Sequence, residues 1–199
     1  MSMFVKICGL RDAECVAAAV DAGADAIGFV FADSVRKISA RDARDLSSAI
    51  PTGVKRVAVL QHPSNDEWQA ICTVFEPDVF QTDIEDLEQL SVPRHVSTWP
   101  VVREGSDAAN DALPEIFVYE GLASGAGETV DWSRAARIAD RGRMILAGGL
   151  DAANVGAAIR TSRAWGVDVS SVVESSRGKK DVDLIRSFIG AVRAAENDR

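Results

Sequence analysis

A (β/α)8 barrel of the α/β class is the fold this sequence predicts. Three observations point to it: eight short β-rich runs, a helical pattern after nearly every one, and a chain of one domain's length. The chain has 199 residues, which fits a single barrel domain over 1–199 with few insertions. The rival is an open doubly wound sheet, but no Gly-x-Gly-x-x-Gly turn follows the first strand. Val5 to Cys8 is the first strand, and residues 11–22 repeat alanine and valine at helical spacing. Asp25 to Phe31 is the second, followed by a helix over 39–50 with Ser39 as N-cap. Lys55 to Leu60 is the third, before a helix over 64–75 that starts at Ser64 or Asn65. Val79 to Thr82 is the fourth, with a short helix near 84–90. Thr98 to Val102 is the fifth, and Glu104-Gly105-Ser106-Asp107 leaves little room for a helix after it. Glu115 to Glu120 is the sixth, followed by a Gly-rich loop and a helix from about Trp132. Met144 to Ala147 and Val167 to Ser170 are the last two, before helices over 151–161 and 181–195.

Composition narrows the function. Lys+Arg number 22 against 30 Asp+Glu, a formal net charge of −8, with no basic cluster. Such a chain is a poor nucleic-acid binder. The 47% hydrophobic and 26% charged content is ordinary for a globular domain. Cys8, Cys15 and Cys72 are an odd number without Cys-x-x-Cys spacing, which argues against a disulfide framework or a zinc site and for a reducing compartment. No apolar run reaches the roughly 20 residues of a membrane span, and the first residues do not read as a signal peptide. A cytoplasmic protein with no membrane partner is expected. No apolar stripe on the outer helices asks for a partner, so a monomer is expected too.

Barrel chemistry sits at the C-terminal ends of the strands, and side chains alternate along a strand. Met3, Val5 and Ile7 therefore suit packing against helices, while Phe4, Lys6 and Cys8 point into the lumen. Ile116, Val118 and Glu120 share a face, as do Val79, Gln81 and Asp83, and Asp168 with Ser170. Each run is apolar and then ends on polar groups, as a site at the barrel mouth requires. A thiol has an unperturbed pKa of about 8.5, and Lys6, two residues before Cys8 on the same face, is placed to lower it. Gly148-Gly149 after the seventh strand and Ser170-Ser171 after the eighth occupy the two loops where barrels commonly bind phosphate. The plainer readings are a structural Cys8, a solvated Glu120 and a mere tight turn at Gly148-Gly149. Cys15 and Cys72 read as core, His62 and His95 as surface, the four tryptophans as packing. Ser124-Gly125-Ala126-Gly127 reads as a flexible loop.

The sequence also resembles the phosphoribosylanthranilate isomerase family. The likeness runs through Lys6-Ile7-Cys8-Gly9-Leu10, Gly23 to Phe31, and Ser34-Val35-Arg36-Lys37-Ile38-Ser39. It returns at Val130-Asp131-Trp132, Leu146-Ala147-Gly148-Gly149-Leu150, Asn154-Val155 and Gly166 to Ser171. It ends with Val173-Glu174-Ser175 and Gly178-Lys179-Lys180-Asp181. The resemblance implies an Amadori rearrangement of a phosphoribosyl aminoaldose to an aminoketose, with no metal or redox cofactor. It implies Cys8 as general base and, at the place of the family's acidic aspartate, Glu120 as general acid. Arg36 would meet the anthranilate carboxylate, and Lys6, Gln81 and Asp168 would complete the substrate site. Four places depart from the family pattern: Glu120 is one methylene longer than aspartate, Val172 stands where the family has glycine, Gln81-Thr82-Asp83-Ile84 replaces Gln-Leu-His-Gly, and Ser124-Gly125-Ala126-Gly127 replaces Gly-Gly-Thr/Ser-Gly. The alternatives are a sister barrel isomerase acting on a histidine-pathway aminoaldose and a binding-only paralogue. Paired aspartates, usual in the sister family, are not what Cys8 and Glu120 supply.

Overall fold

Eight parallel staves form the sheet of the computed structural model, which describes residues 2–106, 113–122 and 127–197. They are β1 (Phe4–Cys8), β2 (Ala26–Val30), β3 (Lys55–Val59) and β4 (Val79–Gln81), then a fifth in two pieces, β5 (Ser97–Thr98) and β6 (Val101–Arg103). The rest are β7 (Ile116–Glu120), β8 (Arg143–Leu146) and β9 (Gly166–Val169). Strand order is β5-β4-β3-β2-β1-β9-β8-β7-β6. Its two ends are neighbours in the chain, so the ring closes through the fifth stave. Trp99-Pro100 divides that stave because proline has no N–H for the ladder. The Pro100 carbonyl still accepts from Val118 N at 2.9 Å, and Val101 N donates to Thr82 O at 2.8 Å.

The helices fall where the periodicity places them: α1 (Ala13–Asp21), α2 (Ala40–Ser47), α3 (Asn65–Phe75), α4 (Trp132–Ala136), α5 (Val155–Ser162) and α6 (Val182–Asn197). Side-chain oxygens of Asp12, Ser39, Ser64 and Asp131 cap the first four, each satisfying an N–H that the first turn leaves unpaired. After β4 the chain makes a 3₁₀ turn over Ile84–Gln89 instead of an α-helix. A further β-hairpin, β10 (Glu174–Ser176) with β11 (Lys179–Lys180), stands between β9 and α6 and has no counterpart in the sequence reading.

Alternation along the strands sorts apolar side chains into two layers. Val5, Ile7, Ile27, Phe29, Phe80 and Phe117 face outward into the sheet–helix core. Ala26, Val57, Val79, Trp99, Val101, Val118 and Ile145 fill the lumen, with Phe4 and Trp165 against them. Phe4 stacks on Trp165 at 4.6 Å and meets Trp99 edge-on at 5.4 Å, giving the lumen an aromatic floor. Polar groups are therefore left to the opposite end, at the strand C-termini.

Trp68 is the largest fully buried side chain of the outer core. It stacks on Phe80 at 4.0 Å and donates its indole N–H to Ser91 O at 3.1 Å. Trp68→Ala should destabilise the fold by about 3–5 kcal/mol, read as a lower urea midpoint with an unchanged slope. A shift below about 1 kcal/mol would mean that α3 does not hold β4 in place.

Candidate active site

Register brings the polar pairs of the mouth together. Across β1 and β9, Lys6 lies beside Asp168; across β1 and β2, Cys8 lies beside Gly28; across β6 and β7, Arg103 lies beside Glu120. These positions surround a cavity of about 260 Å³ at the C-terminal rim. Cys8, Arg36, Gln81, Glu120, Gly148, Gly149, Asp168, Ser170 and Ser171 all line it. Lys6 stands behind Asp168, outside the lining.

Lys6 is wholly buried, and its Nζ donates to Asp168 Oδ2 at 2.6 Å. Burial works against its charge, but Asp168 and then Cys8 outweigh it, and its pKa rises above the ordinary lysine value. Cys8 behaves differently from the sequence expectation. Burial pushes the thiol up, and the pull of Lys6 toward thiolate does not overcome that burial. Gly28 makes the space for both side chains. A Cβ there would lie 2.9 Å from Cys8 Sγ and 3.2 Å from Lys6 Cε.

Across the mouth, Arg103 Nη1 donates to Glu120 Oε2 at 3.0 Å and to Gly121 O at 3.2 Å, while its Nε donates to Asp83 Oδ1 at 2.6 Å. One guanidinium thus fixes two carboxylates, which its fork geometry suits. Arg103 escaped the sequence reading, which ended the fifth strand at Val102. The signal was available, because Trp99, Val101 and Arg103 keep period two. His62 is exposed, yet its Nδ1 lies 2.9 Å from Asp86 Oδ1 and its Nε2 3.8 Å from Asp83 Oδ2. Donor atoms of His62, Asp83 and Asp86 come within 4.8 Å of one another, the one such group among the described residues. Arg103, Thr82 and the His62 backbone N–H already occupy these carboxylates, so they fit ion pairing rather than a metal.

Two buried oxygens on the cavity wall, Gln81 Oε1 and Asp168 Oδ1, have no hydrogen-bond partner. Buried polar atoms in native proteins are almost always satisfied, so these two oxygens set Gln81 and Asp168 apart from the other polar residues of the wall. The glycine pair after β8 is obligatory for packing. Gly148 and Gly149 have φ of +96° and +59°, and a Cβ on them would lie 2.9 Å from Glu128 O and 2.7 Å from Thr129 N. Asn154 Nδ2 holds the Gly149 carbonyl at 2.8 Å, and Asn154 Oδ1 accepts from Asp151 N at 2.9 Å. That turn delays α5 to Val155. Ser170 Oγ donates to Cys8 O at 3.2 Å, and Ser171 opens a 3₁₀ turn over Ser171–Val173. Val172 lies partly on the outer core and partly on the cavity wall. Of the loop after β7, Ser124, Gly125 and Ala126 lie outside the described residues, and Gly127 lines the cavity.

Glu174 and Lys180 were also not singled out by role, since only the unpredicted hairpin brings them to the mouth. Glu174 accepts from Arg36 Nε at 2.6 Å and from Lys180 Nζ at 2.6 Å. Burial alone would raise its carboxyl, but these bonds and the Gly178 N–H hold it at about 2, against an ordinary 4.5. A depressed carboxylate stabilises the fold fully above its unfolded pKa, and that stabilisation fades as pH falls toward the folded value. The wild type should therefore lose stability progressively from about pH 4.5 down to about 2. Glu174→Gln should flatten that part of a pH series of urea midpoints, and parallel curves would sink the assignment.

Comparison with known proteins agrees with this geometry. The family model described as N-(5'-phosphoribosyl)anthranilate (PRA) isomerase matches residues 5–191. An N-(5'-phosphoribosyl)anthranilate isomerase of Listeria monocytogenes serotype 4b is 37% identical over 212 residues, covering 98% of this chain and 100% of that protein. The crystal structure of phosphoribosyl anthranilate isomerase from Thermus thermophilus superposes with a TM-score of 0.86 at 26% identity, covering 96% of this chain and 99% of that one. A phosphoribosyl anthranilate isomerase solved with reduced 1-(o-carboxyphenylamino)-1-deoxyribulose 5-phosphate does so with a TM-score of 0.81 at 32% identity and the same coverage. The match runs almost end to end in sequence and in fold, and the chain belongs to the N-(5'-phosphoribosyl)anthranilate isomerase family.

Proposed function

We propose that the mouth cavity isomerises N-(5'-phosphoribosyl)anthranilate with Cys8 as general base and Glu120 as general acid. The chain is an isomerase of tryptophan biosynthesis, and the histidine-pathway and binding-only alternatives lose their ground with the family match. The observation that carries the residue assignment is that Cys8 and Glu120, three staves apart in the ring, line one cavity. The substrate phosphate goes to the loops after β8 and β9, at Gly148, Gly149, Ser170 and Ser171, where backbone N–H groups favour a dianion. The anthranilate carboxylate goes to Arg36. The ribose lies between, beside Gln81 and Asp168 on the cavity wall.

The chemistry follows from that placement. Protonation of the furanose ring oxygen by Glu120 lets the C1′–O4′ bond break, leaving a Schiff base. Cys8 removes the C2′ proton, and the electron pair moves to the C1′–C2′ bond to give an enolamine. Tautomerisation then gives the ketone. Arg103 on the next strand orients the longer side chain of Glu120, which takes up a proton before it acts as the acid and is left as the carboxylate paired with Arg103 once that proton is on the ring oxygen. Burial keeps the resting Cys8 thiol protonated. The cationic Schiff base supplies the charge that favours the thiolate, so the base is activated at the step that uses it.

No helix among the described residues is long and apolar enough to cross a membrane. The three cysteines are unpaired, in keeping with a cytoplasmic site of action. Among the described residues the large exposed apolar side chains, Val35, Val74, Leu122 and Leu184, lie on four separate segments. That scatter supports a monomer, although a related enzyme from Thermotoga maritima is described as dimeric. Light scattering should return the mass of one chain, and twice that mass would overturn the monomer. For the chemistry, substrate made in situ from anthranilate and phosphoribosyl pyrophosphate allows turnover to be followed by loss of fluorescence. Cys8→Ala and Glu120→Gln should each lower kcat by about 10²–10⁴-fold with melting temperatures near wild type. Near-normal turnover in either variant removes that residue from the mechanism.

A further inference from the structure

Glu174 takes no part in the chemistry above and does not line the cavity, yet it holds Arg36 directly and is linked to Ser170 through Lys180. Its side chain is 3% exposed. Oε1 accepts from Arg36 Nε at 2.6 Å and from Lys180 Nζ at 2.6 Å. Oε2 accepts from Arg36 Nη2 at 3.1 Å and from Gly178 N at 2.9 Å. Lys180, 1% exposed in its side chain, passes the connection on. Its Nζ donates to Ser170 O at 2.8 Å and to Ser170 Oγ at 3.2 Å. Arg36 and Ser170 are on the cavity wall, while Glu174 and Lys180 stand behind it.

We propose that Glu174 is a positioning residue that fixes the carboxylate-binding guanidinium of Arg36 and, through Lys180, the phosphate-binding turn at Ser170 in one rigid frame. The proposal rests on the roles given to Arg36 and Ser170 above. Its physical basis is preorganisation. An arginine carries five N–H donors; Glu174 engages two of its nitrogens and so sets the guanidinium plane, leaving the remaining edge for a ligand. A fork held this way loses less freedom when it binds a carboxylate than a free side chain would. Lys180 needs the same carboxylate. Burial pulls its ammonium pKa down, and Glu174 is the largest influence in the other direction. Without Glu174, two buried cations would face each other, and the Ser170 turn would lose its buried anchor.

The test uses the full chain and two probes that each carry one end of the substrate, inorganic phosphate and anthranilate. Both are titrated calorimetrically, alongside kcat and KM. Glu174→Gln should raise KM by about tenfold or more, with kcat changing by less than about threefold, and should weaken both probes. Lys180→Met should weaken phosphate by about tenfold and leave anthranilate within about twofold. Glu174→Asp should recover part of the loss. A folded Glu174→Gln protein with both probes within about twofold of wild type overturns the proposal, as does a Lys180→Met protein that loses both probes equally. If Glu174→Gln does not fold, the contrast between the two probes in Lys180→Met decides alone, and unchanged phosphate binding there is fatal. Probe binding needs no turnover. A wild type that binds both probes without isomerising substrate counts against the acid–base assignment and leaves the frame standing, and one that binds neither removes the frame.

Discussion

The buried ion pair between Lys6 and Asp168 is the constraint on which the rest of the mouth depends. Taking two charges out of water costs several kcal/mol per ion even after relaxation. A pair at 2.6 Å offsets that only if the partners are held in place. Parallel register does the holding, because Lys6 and Asp168 are directly adjacent on β1 and β9. Strand geometry rather than flexible side-chain search thus brings the charges together. Asp168 Oδ2 is committed to Lys6, while the residue itself lines the cavity. Cys8, one pleat above Lys6, inherits both the neighbouring charge and the dryness that keeps its thiol protonated.

The same device is repeated around the rim. Arg103 and Glu120 are register neighbours on β6 and β7, and Asp83 closes that cluster from just past the end of β4. Arg36, Glu174 and Lys180 form the third cluster, drawn from the loop after β2 and from the β10–β11 hairpin. Each cluster places cations and carboxylates in contact: Lys6 balances Asp168, Arg103 serves two carboxylates, and Arg36 and Lys180 share one, so the mouth's excess of positive charge is local to the third cluster. This suits a protein of formal net charge −8 that takes an anionic substrate. Long-range attraction is not on offer, and selectivity must come from short hydrogen bonds at fixed positions. The apolar floor of Phe4, Trp99 and Trp165 is the counterpart of this arrangement. It fills the lower lumen with apolar rings, so the charged groups of the site gather at the strand C-termini.

The barrel was legible in the sequence because period-two runs and helical runs alternate, and the two periods do not imitate each other. That Cys8, Glu120, Gly148 and Asp168 would meet at the mouth was legible because they sit at strand ends; the roles proposed for Cys8 and Glu120 came from the family resemblance, since position alone left plainer readings open. What the sequence concealed has a common cause. Arg103 lay one residue past the predicted end of a stave that Pro100 breaks in two. Glu174 and Lys180 belong to a short hairpin whose residues carry no strand periodicity. The pairing of these groups is tertiary, set by which loops meet over the rim, and no local pattern encodes it. The fate of Lys6 shows the same limit. Spacing placed it near Cys8, but only the register with β9 reveals that Asp168 claims its ammonium.

A glutamate in place of the family's aspartate becomes intelligible in this frame. A longer acid on a free strand end would sample several rotamers, and a displacement of about 1 Å can cost roughly 10²-fold in rate. Here the carboxylate is tethered by an arginine on the adjacent strand, and that arginine is itself tethered by Asp83 at 2.6 Å. Asp83 stands in the fourth-strand motif where the family pattern has histidine. The two departures meet at Arg103, which hydrogen-bonds both side chains. Asp83, just past the end of β4, orients Arg103, and Arg103 in turn orients Glu120. Under the proposed mechanism the two substitutions are therefore coupled, and the effect of either depends on the other.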